Sequence, residues 1–95
     1  MVEVEWSEVA KSELKEIIEY ISQDSPQYAK YLKERIFESI ENLETFPRMG
    51  RKVPEFENPR IRELILQNYR IVYDFFDDKI EIITIIHGRS ILRIK

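Results

Sequence analysis

The sequence contains no cysteine, only two glycines and a single histidine among its 95 residues. The absence of cysteine excludes disulfide bonds and thiolate metal sites. Two isolated glycines do not form a glycine-rich phosphate-binding loop, and one histidine does not form a metal-binding cluster. We therefore predict neither a metal site nor a bound cofactor.

Long apolar runs are also missing from the chain. No stretch approaches the roughly 18 apolar residues of a membrane span, and no basic-then-apolar signal segment opens the sequence. We expect a cytoplasmic protein without membrane contact. The length is sufficient for one domain over residues 1–95 and too short for two.

The net charge of −3 is distributed unevenly along the chain. Residues 1–47 carry 11 acidic and 5 basic side chains, whereas residues 48–95 carry 7 acidic and 10 basic ones. A local positive surface on an acidic protein suits phosphate or an acidic partner. Composition by itself favours the alternative, which is a solvated surface of mixed charge.

The first half of the chain has the apolar spacing of a short strand followed by two helices. Val2, Val4 and Trp6 alternate with glutamates, which indicates a half-buried strand. Ser7 and Ser25-Pro26 are helix start signals, and apolar residues at helical spacing follow each of them. Because the turn between the helices is short, we expect an antiparallel helical hairpin.

The second half of the chain has the spacing of strands. Three of the four prolines lie in a predicted loop over residues 47–59. Strands are predicted over 61–66, 69–76 and 80–87, and the breaks between them are short enough for hairpin turns. The predicted fold is α+β, in the order β-α-α-β-β-β, with the helical hairpin packed on one face of a small antiparallel sheet.

Alternation along the strands places cationic side chains on the sheet face away from the helices. Arg70 and Asp74 should share that face, and His87 and Arg89 share a face of the next strand, near enough to approach Arg70. Guanidinium groups on an exposed sheet would bind phosphate or carboxylate groups in bidentate fashion. The alternative is a structural ion pair of Arg70 with Asp74 or Glu63.

Further candidates come from the loop and the strand that follows it. Arg60 and Arg62 should share a face at the start of their strand, and Arg51 adds a cation in the loop. His87 is the only histidine, the residue type that most often serves as a general acid or base, but a lone histidine beside a glycine more often has a structural role. The candidate binding residues are Arg51, Arg60, Arg62, Arg70, His87 and Arg89.

Four motifs follow one another along nearly the whole chain. They are the loop Pro47–Glu55, with the pattern P-x-x-G-R-x-V-P-E, and the segments Ile61–Ile65, Tyr69–Tyr73 and Ile86–Arg89. Together they resemble the RelE/ParE toxin superfamily of type II toxin–antitoxin systems, and the loop resembles its ParE branch. The resemblance implies the same fold and a cognate antitoxin that binds the toxin in a hetero-oligomer.

Two activities occur on this fold, so the fold does not determine the function. RelE-type members are endoribonucleases that cut mRNA on the ribosome, whereas ParE-type members inhibit DNA gyrase. If the chain is RelE-like, the resemblance implies catalytic roles for Arg62, Arg70 and Arg89, with His87 a weaker candidate.

The C-terminal segment favours the ParE branch. No tyrosine follows Gly88, and Ser90 stands where many members have a second basic residue. The acidic net charge also suits a ribosome ligand poorly. We predict gyrase inhibition, and the alternatives are an mRNA endoribonuclease or a weakly active member that binds an antitoxin.

Tyr31 and Phe37 fall off the main apolar stripe of their helix and are candidate antitoxin contacts. The alternative is that they form a second packing layer inside the protein. Glutamates on the helices, Glu13 among them, are interpreted as solvated.

Overall fold

The structure, a computed structural model, describes residues 2–89, which form two helices and a five-stranded sheet. The helices are α1 (Glu8–Asp24) and α2 (Pro26–Thr45), and the strands are β1 (Glu3–Trp6), β2 (Arg51–Lys52), β3 (Ile61–Leu66), β4 (Tyr69–Phe76) and β5 (Lys79–His87). The predicted α+β class and helical hairpin are confirmed. Within residues 2–89, neither helix is long and apolar enough to cross a lipid bilayer.

The strands lie in the order β1-β5-β4-β3-β2. β3, β4 and β5 pair antiparallel, as their short connections predict. Asp77 and Asp78 form the β4–β5 turn, and their positive φ angles of 55° and 58° match the twist of the flanking strands. β1 pairs parallel to β5, so the sheet is mixed, and β2 adds a short strand inside the region predicted as a loop.

Serine side chains begin both helices. The Ser7 hydroxyl accepts a hydrogen bond from the Ala10 N–H at 3.0 Å and donates one to the Ile83 carbonyl at 2.8 Å. The Ser25 hydroxyl accepts a hydrogen bond from the Tyr28 N–H at 3.1 Å. The Ser7 side chain therefore both caps α1 and connects it to β5, whereas the Ser25 side chain only caps α2.

We expect Ser7→Ala to lower the free energy of unfolding by about 1.5 kcal/mol, because the variant loses a helix cap and a hydrogen bond to the sheet. Urea denaturation followed by circular dichroism measures the change. Ser25→Ala is the matched control and should cost about 1 kcal/mol, since it removes a cap only. A larger loss for Ser25→Ala would show that the bond to β5 does not contribute.

Apolar side chains fill the space between the helices and one side of the sheet, which we call the helical face. The buried residues of this main core are Ala10, Leu14, Leu32, Ile36, Ile40, Leu43, Leu64, Ile71, Tyr73, Ile80, Ile82 and Ile85. A smaller cluster covers part of the opposite side, the outer face, where Val53 and Val72 are buried beside Phe56. The segment after β2 therefore folds back over the outer face.

A β-bulge in β5 decides which side chains share a face. The pairing of β4 with β5 skips Ile83, which becomes the extra residue of the strand. Ile82 and Ile85 both pack into the main core, while Ile83 packs with the outer cluster. Strict alternation along this strand predicts that Ile83, Ile85 and His87 share one face, and the bulge makes that prediction wrong for Ile83.

The Glu13 carboxylate is hydrogen-bonded to two groups of β5. It accepts hydrogen bonds from the Thr84 hydroxyl at 2.6 Å and from the Ile85 N–H at 3.0 Å. β1 pairs with residues 79–82, so these groups lie just beyond the part of the β5 edge that β1 covers. The interpretation of Glu13 as solvated is wrong, because this edge supplies donors that a carboxylate satisfies.

Candidate functional site

Arg70 lies on the outer face inside a network of ion pairs. Its Nε donates a hydrogen bond to Glu63 at 2.5 Å, and its two terminal nitrogens donate to both carboxylate oxygens of Glu55 at 2.7 and 2.8 Å. Arg70 is only 5% exposed, and the Glu63 side chain is fully buried. Hydrogen bonding to Glu55 raises the pKa of Arg70 above its usual value, so the guanidinium stays charged.

The register of the strands explains why these charges meet. Arg51 in β2 pairs with Glu63 in β3, and its Nε donates to the second Glu63 oxygen at 2.7 Å. Glu63 therefore lies between two arginines, and Glu55 reaches Arg70 from the segment that covers the outer face. Arg51, Glu55, Glu63 and Arg70 together form what we call the Arg70 network. The ion pair of Arg70 with Glu63, given above as the alternative, is confirmed.

Arg60 and Arg62 point to opposite faces. Arg60 donates two hydrogen bonds to Asp74 on the outer face, at 3.1 and 2.9 Å. Arg62 lies opposite the core residue Tyr73 and donates to the Gly50 carbonyl at 2.9 Å on the helical face. The predicted shared face is wrong, because Arg60 precedes the first residue of β3 and lies in a turn.

His87 lies away from Arg70. It pairs in register with Tyr69, and the two rings meet edge-on with centroids 6.0 Å apart. Since Tyr69 packs against the main core, His87 is on the helical face. The prediction that His87 approaches Arg70 is wrong, and the β5 bulge is the reason. Arg89 is exposed in the turn after β5, where its N–H donates to His87 Nδ1 at 3.2 Å.

The structure does not assemble the predicted cationic residues into one site. The arginines on the outer face are each paired with a carboxylate, and Arg62, His87 and Arg89 lie elsewhere. Glu55 is the participant that sequence reasoning missed, because a loop residue fifteen positions from its partner leaves no periodic signal. The interpretation of Ser90 and the tyrosine-free tail concerns positions outside the described residues.

A second surface of interest is an apolar groove between α1 and α2. Its volume is about 450 Å³, and its lining residues are Trp6, Lys11, Leu14, Lys15, Ile18, Glu19, Lys33 and Phe37. The rings of Trp6 and Phe37 lie 5.7 Å apart, and Phe37 is 40% exposed. The groove therefore combines apolar walls with three lysines and one glutamate, and we call it the hairpin groove.

Comparisons with known proteins assign the family. A model of the "ParE toxin of type II toxin-antitoxin system, parDE" matches residues 4–92. The chain belongs to the ParE toxin family. A solved structure described as "Chromosomal ParDE TA system from P. aeruginosa" has a TM-score of 0.73 and 23% identity, covering 92% of this chain and 96% of that one, and it supports the fold. No curated protein sequence matches the chain.

The loop that carries the ParE resemblance is held in place by Tyr73. Its hydroxyl accepts a hydrogen bond from the Gly50 N–H at 3.0 Å and donates one to the Pro47 carbonyl at 2.8 Å. Burial raises the pKa of Tyr73, so the hydroxyl stays protonated and able to donate. In this ParE-family chain, the proline and glycine of the P-x-x-G-R motif thus serve to fasten the loop to the sheet.

Proposed function

We propose that this ParE-family chain is the toxin of a type II toxin–antitoxin pair and that its target is DNA gyrase. The observation that supports gyrase over mRNA is the state of Arg70. A RelE-type endoribonuclease needs cationic donors directed at the scissile phosphate. In this structure the Arg70 donors are directed at Glu55 and Glu63 instead. We further propose that residues 1–95 form one toxin domain that acts in the cytoplasm.

The charges around Arg70 also support gyrase rather than mRNA as the target. Arg51 and Arg60 on the outer face are paired with Glu63 and Asp74, so the positive charge of this surface is compensated from within the protein. Affinity for nucleic acid rests largely on cationic contacts to phosphate, and internal pairing reduces it. His87, the candidate acid or base, lies on the other face of the sheet from Arg70.

The test uses two assays in parallel. Purified protein is added to a gyrase supercoiling reaction and, separately, to ribosomes programmed with mRNA. We expect inhibition of supercoiling without cleavage of mRNA in the ribosomal A site. Cleavage without gyrase inhibition would instead support an mRNA endoribonuclease, and inactivity in both assays would support a weakly active member that binds an antitoxin.

The antitoxin is proposed to cover the hairpin groove. Exposed apolar surface rimmed by charge is typical of protein-binding sites. The lysines Lys11, Lys15 and Lys33 on the rim complement acidic side chains, so an amphipathic segment with apolar anchors and acidic flanks fits this surface. The first step is to look for a small open reading frame next to the gene, and its absence would count strongly against a cognate antitoxin.

We expect Phe37→Ala to weaken antitoxin binding roughly tenfold, because truncation removes an aromatic wall of the groove. Isothermal titration calorimetry with the protein encoded by the adjacent gene measures the effect. Phe76→Ala is the matched control, since Phe76 is 59% exposed and lies next to Arg60 on the outer face. If the Phe76 variant lost as much affinity as the Phe37 variant, the hairpin groove would not be the antitoxin site.

A further inference from the structure

An open pocket lies at the turn between α1 and α2. Its volume is about 660 Å³, and the residues that line it are Tyr20, Ile21, Gln23, Asp24, Ser25 and Tyr28. Tyr20 is 76% exposed and Tyr28 is 43% exposed, so both rings are accessible from solvent. The pocket shares no lining residue with the hairpin groove, so substitutions can separate the two surfaces.

The aromatic side of the pocket is supported by neighbouring tyrosines. The Tyr28 ring stacks on Tyr31, with centroids 6.1 Å apart and planes 28° from parallel. This stacking limits the motion of the Tyr28 ring before any ligand arrives, which reduces the entropy lost on binding.

The pocket carries one negative charge. Asp24 is the only acidic residue among those that line it, and no lysine or arginine is among them. Within residues 2–89, no basic side chain forms an ion pair with Asp24. A carboxylate that lines a pocket with two tyrosine rings is thus without a cationic partner among the described residues.

These groups match the chemistry of a guanidinium. Tyrosine rings attract a cation placed over their faces. A carboxylate accepts two parallel hydrogen bonds from arginine, whose planar and weakly hydrated head stacks on aromatic rings better than an ammonium does. We propose that the pocket of Tyr20, Asp24 and Tyr28 binds an arginine side chain presented by a partner protein. The site does not depend on gyrase being the target.

The test titrates a small probe into the isotope-labelled full chain and follows its amide resonances by NMR. The probe is the blocked tripeptide acetyl-Gly-Arg-Gly-amide, and we expect saturable shifts confined to residues 20–28. A citrulline tripeptide has nearly the same shape without the charge and should bind roughly tenfold more weakly. Equal binding of the two peptides would overturn the proposal.

Three variants assign the effect to the pocket. Asp24→Asn and Tyr20→Leu should each weaken arginine binding roughly fivefold, while Tyr20→Phe keeps the ring and should bind like the original chain. Asp77→Asn, in the β4–β5 turn, is the control for a lost surface charge and should have no effect. Unchanged affinity in both Asp24→Asn and Tyr20→Leu, or an equal loss in Asp77→Asn, would contradict an arginine site here.

Discussion

Replacing Arg70 with methionine should lower the free energy of unfolding by about 3–5 kcal/mol, because the buried Glu63 carboxylate would keep only the exposed Arg51 as a cationic partner. The Glu63 carboxylate, which is fully buried, would lose its shortest hydrogen bond. Glu55 would lose both of its bonds to the guanidinium. Methionine matches the aliphatic part of arginine, so the packing of that part is retained.

Urea denaturation followed by circular dichroism measures this loss, and Arg60→Met is the matched control. Arg60 also makes two hydrogen bonds to a carboxylate, but its side chain is 46% exposed. Exposed ion pairs contribute little, so the control should lose less than about 1 kcal/mol. Comparable losses in the two variants would mean that burial does not strengthen the contribution of the Arg70 network.

A double variant separates the structural role of Arg70 from a catalytic one. Arg70→Met combined with Glu63→Met replaces the central buried pair by apolar side chains, which should recover part of the lost stability. We expect this variant to inhibit gyrase in proportion to its folded fraction. A folded double variant without gyrase inhibition would assign Arg70 a direct role in the activity.

The parts of the fold that depend on local signals could be predicted from the sequence. The serine caps begin both helices at the predicted residues, and the short breaks after β3 and β4 form hairpin turns. Contacts between distant segments leave no local signal. The parallel pairing of β1 with β5 joins residues more than seventy positions apart, so nothing near either strand indicates it.

The candidate site is harder to predict, because it depends on which face of the sheet each side chain occupies. A single extra residue, Ile83, moves His87 to the face opposite Arg70. A one-residue shift in a strand exchanges the two faces, and no residue type in β5 marks the bulge. The cationic surface was likewise predicted from arginines alone, whereas Glu55 and Glu63 decide how much of its charge is available.

Gly50→Ala is the second substitution for which we expect a large effect, and close packing is the reason. A Cβ at Gly50 would lie 2.6 Å from the Tyr73 hydroxyl oxygen and 2.7 Å from the Glu63 carbonyl oxygen. The Glu63 oxygen belongs to the backbone of β3. Tyr73 is fully buried, and its hydroxyl is hydrogen-bonded to both Gly50 and Pro47 of the loop. Neither group can move without breaking the contacts that hold the loop.

The expected loss for Gly50→Ala is about 3 kcal/mol, the upper part of the range for overpacked sites. Gly88→Ala is the control within the same chain, because its Cβ would come no closer than 3.2 Å to the Asn68 carbonyl oxygen. Neither glycine has a positive φ angle. Each substitution by alanine should therefore lower the entropy of the unfolded chain by a similar amount. The difference between the two unfolding free energies therefore isolates the overlap at Gly50. If the two variants were equally stable, the loop would tolerate a side chain there, and the glycine of the P-x-x-G-R motif would not be required for packing against Tyr73.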